Sequence, residues 1–576
     1  MINIKVNNKE QSVKDGTNVF EAVTAMQYVE MPSLYYLKGI VDDDTSGVAV
    51  VEINGKVVPA IDVVVQEGME IFANSPAVME ARKNSLLDIA NIHNRDCVTC
   101  FRTDNCELQD LLHVYKVFED DEGFLARKGE TDLDVSAPHL VRDMSKCIRC
   151  RRCVTVCGEI QAVEALEATG AGLESVIKAA SDEGLGHTKC VHCGQCITVC
   201  PVGAIYEKDD TEAVFAALED PKKHVIVEVA PAVRAALGEG YEFPIGVDVE
   251  GRIAEALKEF GFDKVFDTKF GADLTIMEEA NEFIDRLQNG GVLPMITSCC
   301  PGWINYAEFN FHEMLDNISS CKSPHQMLGA TIKSYYADKF GINKEDIVTV
   351  SVMPCVAKKG EIKRDGEGRP GLPDVDYVLT TREMIRMLKK KEIQLEAMDT
   401  ATKFDSPLGT GTGAGIIFGA TGGVMEAALR TVIEKLTGKE LEEVKISEVR
   451  GVSGIKEASY DINGKTINVA VVSGLGNAKE LLEKVQRGEA DYHFIEVMAC
   501  PGGCVNGGGQ PQQQAKIRNK TDIRADRAEA LYANDEESIL RKSHENPEII
   551  ELYRKFFDKP GSEKAREMLH TSYSKR

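Results

Sequence analysis

Apolar and polar residues alternate with a period of two over residues 2–6 and 11–13, shift to helical spacing over 19–26, and return to strand-like runs at 48–53, 57–65 and 70–73. Asn7-Asn8, Asn54-Gly55 and Glu67-Gly68 supply turns between them, so residues 1–80 predict a small domain of short strands around one helix. From about residue 210 strands and helices take turns instead: 225–229 before a helix over 232–237, 377–379 before 382–390, and 467–472 before 478–485. Three further apolar runs, 292–296, 347–352 and 494–497, lead straight to Cys299, Cys355 and Cys500. Open α/β folds place their sites just past the carboxyl ends of strands, so this half of the chain predicts a two-lobed α/β domain with a site between the lobes. Residues 524–576 read as charged and helical, with breaks at Pro547 and Pro560.

The cysteines change the picture most. There are 17 in 576 residues, no apolar segment follows Met1-Ile2-Asn3-Ile4-Lys5, and no apolar run is long enough to span a membrane. The expected location is the cytoplasm, where so many thiols are metal ligands before they are disulfides. A formal net charge of -25 opposes binding to nucleic acid or to anionic membranes.

Two arrays account for most of the N-terminal thiols. Over residues 81–125 the spacing His93-x3-Cys97-x2-Cys100-x5-Cys106 assembles three thiols and an imidazole, a set that suits an iron-sulfur cube and equally a Cys3His zinc site. Over 138–208 one pattern occurs twice, as Cys147, Cys150, Cys153, Cys157 and as Cys190, Cys193, Cys196, Cys200. In such pairs the fourth cysteine serves the other cluster, so Cys147, Cys150, Cys153 and Cys200 are expected on one cube and Cys190, Cys193, Cys196 and Cys157 on the other. Arg142, Lys146, Arg149, Arg151 and Arg152 surround the first run and read as a local basic face able to dock an acidic electron donor or to tune the cluster.

The C-terminal half carries three signatures: Thr297-Ser298-Cys299-Cys300-Pro301-Gly302-Trp303, then 353–361 with Met353, Cys355 and Lys358, then 495–511 with Cys500 and Cys504 among five glycines. Glycine at that density lets backbone pack against something bulky and non-protein. The glycine-rich run 409–423 lacks the strand and ordered spacing of a dinucleotide loop. In this order the three signatures resemble those of FeFe-hydrogenases, most of all the large clostridial type, and the resemblance covers the whole chain.

The resemblance implies an α+β multidomain fold: a β-grasp ferredoxin-like domain (1–80), a His/Cys 4Fe-4S module (81–125), a two-cluster ferredoxin domain (138–208), a two-lobed α/β catalytic domain (209–523) and a helical small-subunit-like segment (524–576). It implies reversible reduction of protons to H2 at an H-cluster, a 4Fe-4S cube on Cys300, Cys355, Cys500 and Cys504, with Cys504 bridging to a diiron unit bearing CO, cyanide and azadithiolate. Three further 4Fe-4S clusters would relay electrons. No 2Fe-2S centre is expected, since Tyr35, Ser46, Ala49 and Ile61 stand where the family has its four N-terminal cysteines. Lys358 matches the cyanide-binding lysine; Ala230, Pro231, Ser323, Met353 and Met498 match residues lining the diiron pocket, with His325 where some members have glutamine.

Protons would travel through Cys299, Glu279, Ser319, Glu282 and Arg286, in that order from cluster to solvent. Glu279, Glu282 and Arg286 fall on one helix face, which by spacing alone is also a common solvated salt-bridge face. Cys321 has no assigned role and reads as a small buried residue. The expected partners are ferredoxin or flavodoxin, leaving open an assembly with NAD-linked flavoprotein subunits, because no flavin or nicotinamide motif is present. The alternative is a catalytically silent sensory or iron-sulfur-assembly relative, disfavoured by the retained Cys299, Glu279, Glu282, Lys358 and cube ligands.

Overall fold

The computed structural model describes residues 1–576 apart from 27, 119, 120, 122, 126–131, 370 and 442, so the module expected over 81–125 runs partly outside the described residues. The first domain is a five-stranded sheet in the order Lys9–Val13, Ile2–Val6, Glu70–Phe72, Val50–Ile53, Lys56–Pro59. The helix Val19–Thr24 buries Val19, Phe20 and Val23 against it. The strand expected over 57–65 stops at Pro59. Beyond it the carbonyls of Ala60 and Val63 accept from Phe20 N and Val19 N, so the backbone leaves the sheet to satisfy donors at a helix start that has no internal partners for them.

Ser75 caps the next helix, Pro76–Ile92, with Pro76 in its first turn, and the helix ends at His93. The paired cysteine runs lie beside a sheet of Leu140–Asp143, Ile205–Glu207 and Leu133–Asp134. The N-terminal domain is pinned to them: Arg152 donates to the carbonyls of Tyr35 and Tyr36 and pairs with Glu107 at 3.0 Å, while Tyr35 Oη donates to Ile148 O. This narrows the basic face expected there. Arg152 and Arg142 are buried, Arg142 pairing with Asp134, and Arg151 donates to Gly170 O and Ser175 Oγ. Arg142 and Arg152 thus hold structure, while Lys146, Arg149 and Arg151 remain partly exposed.

The C-terminal half has two four-stranded sheets among the described residues. One is parallel throughout, ordered Lys264–Asp267, His224–Val229, Ile347–Met353, Tyr377–Thr380. The other is ordered Met295–Ile296, Phe494–Met498, Lys465–Ser473, Ile455–Ile462, parallel except for its final hairpin. Two expectations need correction. The strand predicted over 292–296 is only Met295–Ile296, since Pro294 has no N–H to pair. The helix predicted over 232–237 is a single 3-10 turn, Pro231–Val233, after which the buried Arg234 turns to Asp267 and Glu250.

Asp267 caps the long helix Thr268–Asn289, which Gly290 ends at φ 82°. The C-terminal segment clasps this helix: Ser543 and Asn546 donate to Asp273, and Gly561 N and Tyr553 Oη to Glu278. Among the described residues no helix is long and apolar enough to cross a membrane.

Candidate active site between the two lobes

Carboxyl ends of strands from both sheets point their following residues into one cavity with about 780 Å³ of empty space. Cys299, Cys300, Cys355, Cys500, Cys504 and Lys358 line it together with Ala230, Pro231, Met353, Met498 and His325. Ser323 stands one residue before the lining Pro324, and its Oγ is buried without a hydrogen-bond partner among the described residues. Sequence reading missed Thr268, Phe418 and Gly419 in the wall. The last two belong to the glycine-rich run, and their role follows only from the helix turn Gly413–Ile417 that carries the chain to the cavity.

The donor set and its surroundings fit an iron-sulfur group. Burial, then the neighbouring thiols, raises Cys355 to about 11 and pushes Cys500 and Cys504 higher. Cys355, Cys500 and Cys504 without a metal stay protonated in such company, and a cationic centre is what makes their thiolates tenable. The glycines do what a cradle requires. A Cβ on Gly507 would stand 2.1 Å from Pro354 O, and one on Gly503 2.6 Å from Thr421 N. The backbone therefore comes closer than any side chain allows.

Lys358 reaches the cavity through the short helix Lys358–Glu361, donating to Cys299 O at 3.2 Å and to Glu361 Oε2 at 2.9 Å. Burial opposes its charge, but Glu361 outweighs burial and holds the ammonium above the usual lysine range. His325 Nε2 meets the same carboxylate, and its Nδ1 lies 3.1 Å from Ser351 Oγ, which donates to Glu228. Burial, with Lys358 adding to it, lowers His325 to about 4, so it is neutral near pH 7. Burial raises Glu228 to about 8. Glu361 was overlooked as an actor although it closes the signature three residues after Lys358.

Further along the helix that brings Thr268 and Ala272 to the cavity, Glu279, Glu282 and Arg286 lie on one face of Thr268–Asn289. Ser319 Oγ donates to Glu282 Oε2 at 2.8 Å, and Arg286 pairs with Glu282 Oε1 at 2.6 Å while donating to the carbonyls of Val292, Asp316, Asn317 and Ile318. Glu279 is buried, neither of its oxygens making a hydrogen bond of good geometry among the described residues. Burial, then Glu282 and Glu496, raises it to about 8. Cys299 lies within electrostatic reach of Glu279.

The other thiols gather into three groups. Cys147, Cys150, Cys153 and Cys200 line one small cavity. Cys157 is the partner that most raises Cys190 after burial and also acts on Cys193 and Cys196. His93 Nδ1 lies 2.7 Å from Lys146 O, which leaves Nε2 free to ligate beside Cys97, Cys100 and Cys106. Close backbone approaches lie beside two of these groups. A Cβ on Gly203 would meet Cys100 Sγ at 2.3 Å, and one on Gly508 would meet Cys193 O at 2.6 Å.

Comparison with known proteins agrees with this arrangement. The chain matches the iron-only hydrogenase large subunit, C-terminal domain, over residues 223–508 and the iron hydrogenase small subunit over 521–576. It also matches a 4Fe-4S dicluster domain over 146–204 and the NADH-ubiquinone oxidoreductase-G iron-sulfur binding region over 82–120. The NADP-reducing hydrogenase subunit HndD of Solidesulfovibrio fructosivorans is 44% identical, covering 100% of this chain and 99% of its own. Iron hydrogenase 1 of Clostridium pasteurianum is 43% identical over 95% of each chain. Among solved structures, the FeFe-hydrogenase HydA1 of Chlamydomonas reinhardtii superposes with a TM-score of 0.56 at 44% identity, covering 63% of this chain and 98% of that one. Full-length similarity to two hydrogenases, on a fold that gathers thiols from three signatures at one cavity, makes this chain a member of the iron-only (FeFe) hydrogenase family.

Proposed function

We propose that this chain catalyses the reversible reduction of protons to H2 in the cytoplasm, through the five-part division set out above. Cys300, Cys355, Cys500 and Cys504 would hold a six-iron H-cluster, a 4Fe-4S cube with a diiron unit bearing CO, cyanide and azadithiolate. When bound, this group supplies the iron site at which protons and electrons combine. The single observation that carries the reading is the meeting of those four cysteines with Cys299 and Lys358 on one cavity.

The protein's own residues do the rest. Lys358 Nζ, charged and held by Glu361, offers a fixed positive end to an anionic ligand, while Met353, Met498, Ala230 and Pro231 keep the wall apolar and water out. Ser323 Oγ has a hydrogen bond to give. Cys299 Sγ, on the cavity wall and within electrostatic reach of Glu279, would be the thiol that holds a proton beside the group, and the raised pKa of Glu279 lets that carboxyl hold a proton near neutral pH. Ser319 Oγ and Glu282 Oε2, already hydrogen-bonded, pass it on towards Arg286 and solvent.

Electrons would enter from ferredoxin, flavodoxin or an NAD-linked flavoprotein subunit. Three 4Fe-4S clusters would carry them inward: one on His93, Cys97, Cys100 and Cys106, then one on Cys147, Cys150, Cys153 and Cys200, then one on Cys190, Cys193, Cys196 and Cys157. The name of the Solidesulfovibrio relative, an NADP-reducing subunit, supports the flavoprotein partner. The test is infrared absorption of matured protein together with H2 evolution from a reduced low-potential donor. CO and cyanide bands with H2 release are expected; a matured sample lacking both would favour the silent alternative.

A further inference from the structure

We propose that Glu282, Cys321 and His570 form a binding site for a divalent transition metal of zinc-like preference at the outer end of the proton route. Their ligand atoms all lie within 4.8 Å of one another, although they come from three distant parts of the chain. Glu282 projects from the helix Thr268–Asn289, Cys321 follows the Ser319-Ser320 turn, and His570 arrives from the C-terminal clasp. A β-bridge between Cys321 and His570 fixes their backbones, and Ser320 Oγ, 2.8 Å from His570 Nδ1, fixes the ring.

The chemistry of the set points to the metal. One thiolate, one imidazole and one carboxylate are zinc's usual ligands, with water as a fourth. Arg286 occupies Glu282 Oε1, and Oε2, which accepts from Ser319 Oγ and Ser320 N, stands 3.9 Å from Cys321 Sγ. Glu282 and Glu278 lie within electrostatic reach of the Cys321 sulfur, and acidic neighbours favour a cation there. Binding exchanges the thiol proton of Cys321 for the metal, and no electron is transferred. The other mixed cluster among the described residues, Glu434, His544 and Glu545, has no sulfur and is already paired with Lys542.

Glu282 Oε2 also accepts from Ser319, so a bound dication removes that acceptor from proton traffic; this consequence rests on the proton route proposed above. The test uses full-length, cluster-loaded, chelator-washed protein titrated with Zn2+, with iron content checked as unchanged. Zinc X-ray absorption should show one sulfur at about 2.3 Å with nitrogen and oxygen at about 2.0–2.1 Å. His570→Ala and Cys321→Ser should each weaken binding by about 10- to 100-fold or more in calorimetry, and His544→Ala should not. A zinc shell without sulfur, or an affinity unchanged in both variants, would overturn the site. Zinc should slow H2 evolution in the parent and not in the two variants at the same concentration. Sulfur-ligated zinc with undiminished turnover keeps the site and removes Glu282 from the route instead.

Discussion

Lys358 Nζ donates to Glu361 Oε2 from one turn away on the same short helix, and that carboxylate is also the partner of His325. The cation facing the cavity is thus held from behind by the last residue of its own signature.

Glu361→Gln should strand Lys358 and His325 without their shared anion. Breaking a buried pair by removing one partner costs about 3–5 kcal/mol. Thermal unfolding of the cluster-loaded protein should show the loss as a lowered midpoint, and an unchanged midpoint would mean the pair contributes nothing.

Cys299→Ala should leave the clusters in place and lower turnover by about 10²–10⁴-fold, because it removes a proton step and no expected ligand. Unaltered infrared bands with lost H2 evolution would separate this from a ligand effect; unaltered turnover would take Cys299 out of the route.

Glu279 carries a pH signature. Its pKa rises on folding from the ordinary carboxyl value to about 8, under burial, Glu282 and Glu496, so between those values the folded chain holds a proton that the unfolded chain has lost. The stability this provides is complete at low pH and is lost as pH rises through about 8. H2 evolution should fall over the same upper range. Glu279→Gln should remove that stability slope and lower turnover by about 10²-fold or more; a variant with the parent's slope and rate would return this helix face to a structural role.

Gly508→Ala should separate the innermost relay site from the H-cluster site. The added Cβ would stand 2.6 Å from Cys193 O and 2.7 Å from the Gly194 Cα, so one loop must move. With iron content retained, reduction of the active site by the relay should slow in stopped-flow measurements. An equal rate would show that the loops give way without parting the clusters.

Iron should total about 18 per chain, from four cubes and a diiron unit, with no 2Fe-2S signal in electron paramagnetic resonance. Tyr35 and Ala49 are buried in the hydrophobic cores, and Ser46 accepts from Val48 N. A 2Fe-2S signal with iron nearer 20 would overturn this count.

Much of the protein was legible in the chain itself. Thiol spacing needs only local geometry, so the His93 module, the paired runs and the three signatures could be located before any fold was known. Strand periodicity likewise placed Cys299, Cys355 and Cys500 after strands that exist. What no local pattern carried was anything depending on distant partners. The basic face expected over Arg142–Arg152 shrank because Arg152 found Glu107 and Arg142 found Asp134. The helix after Ala230 gave way to the pull of Asp267 and Glu250 on Arg234. Cys321, without a role in the linear reading, met His570 across nearly half the chain. Spacing within a turn is set by covalent geometry, whereas these pairings were selected by burial, which leaves a charge or a thiol no solvent and forces it onto whatever partner the tertiary packing brings near.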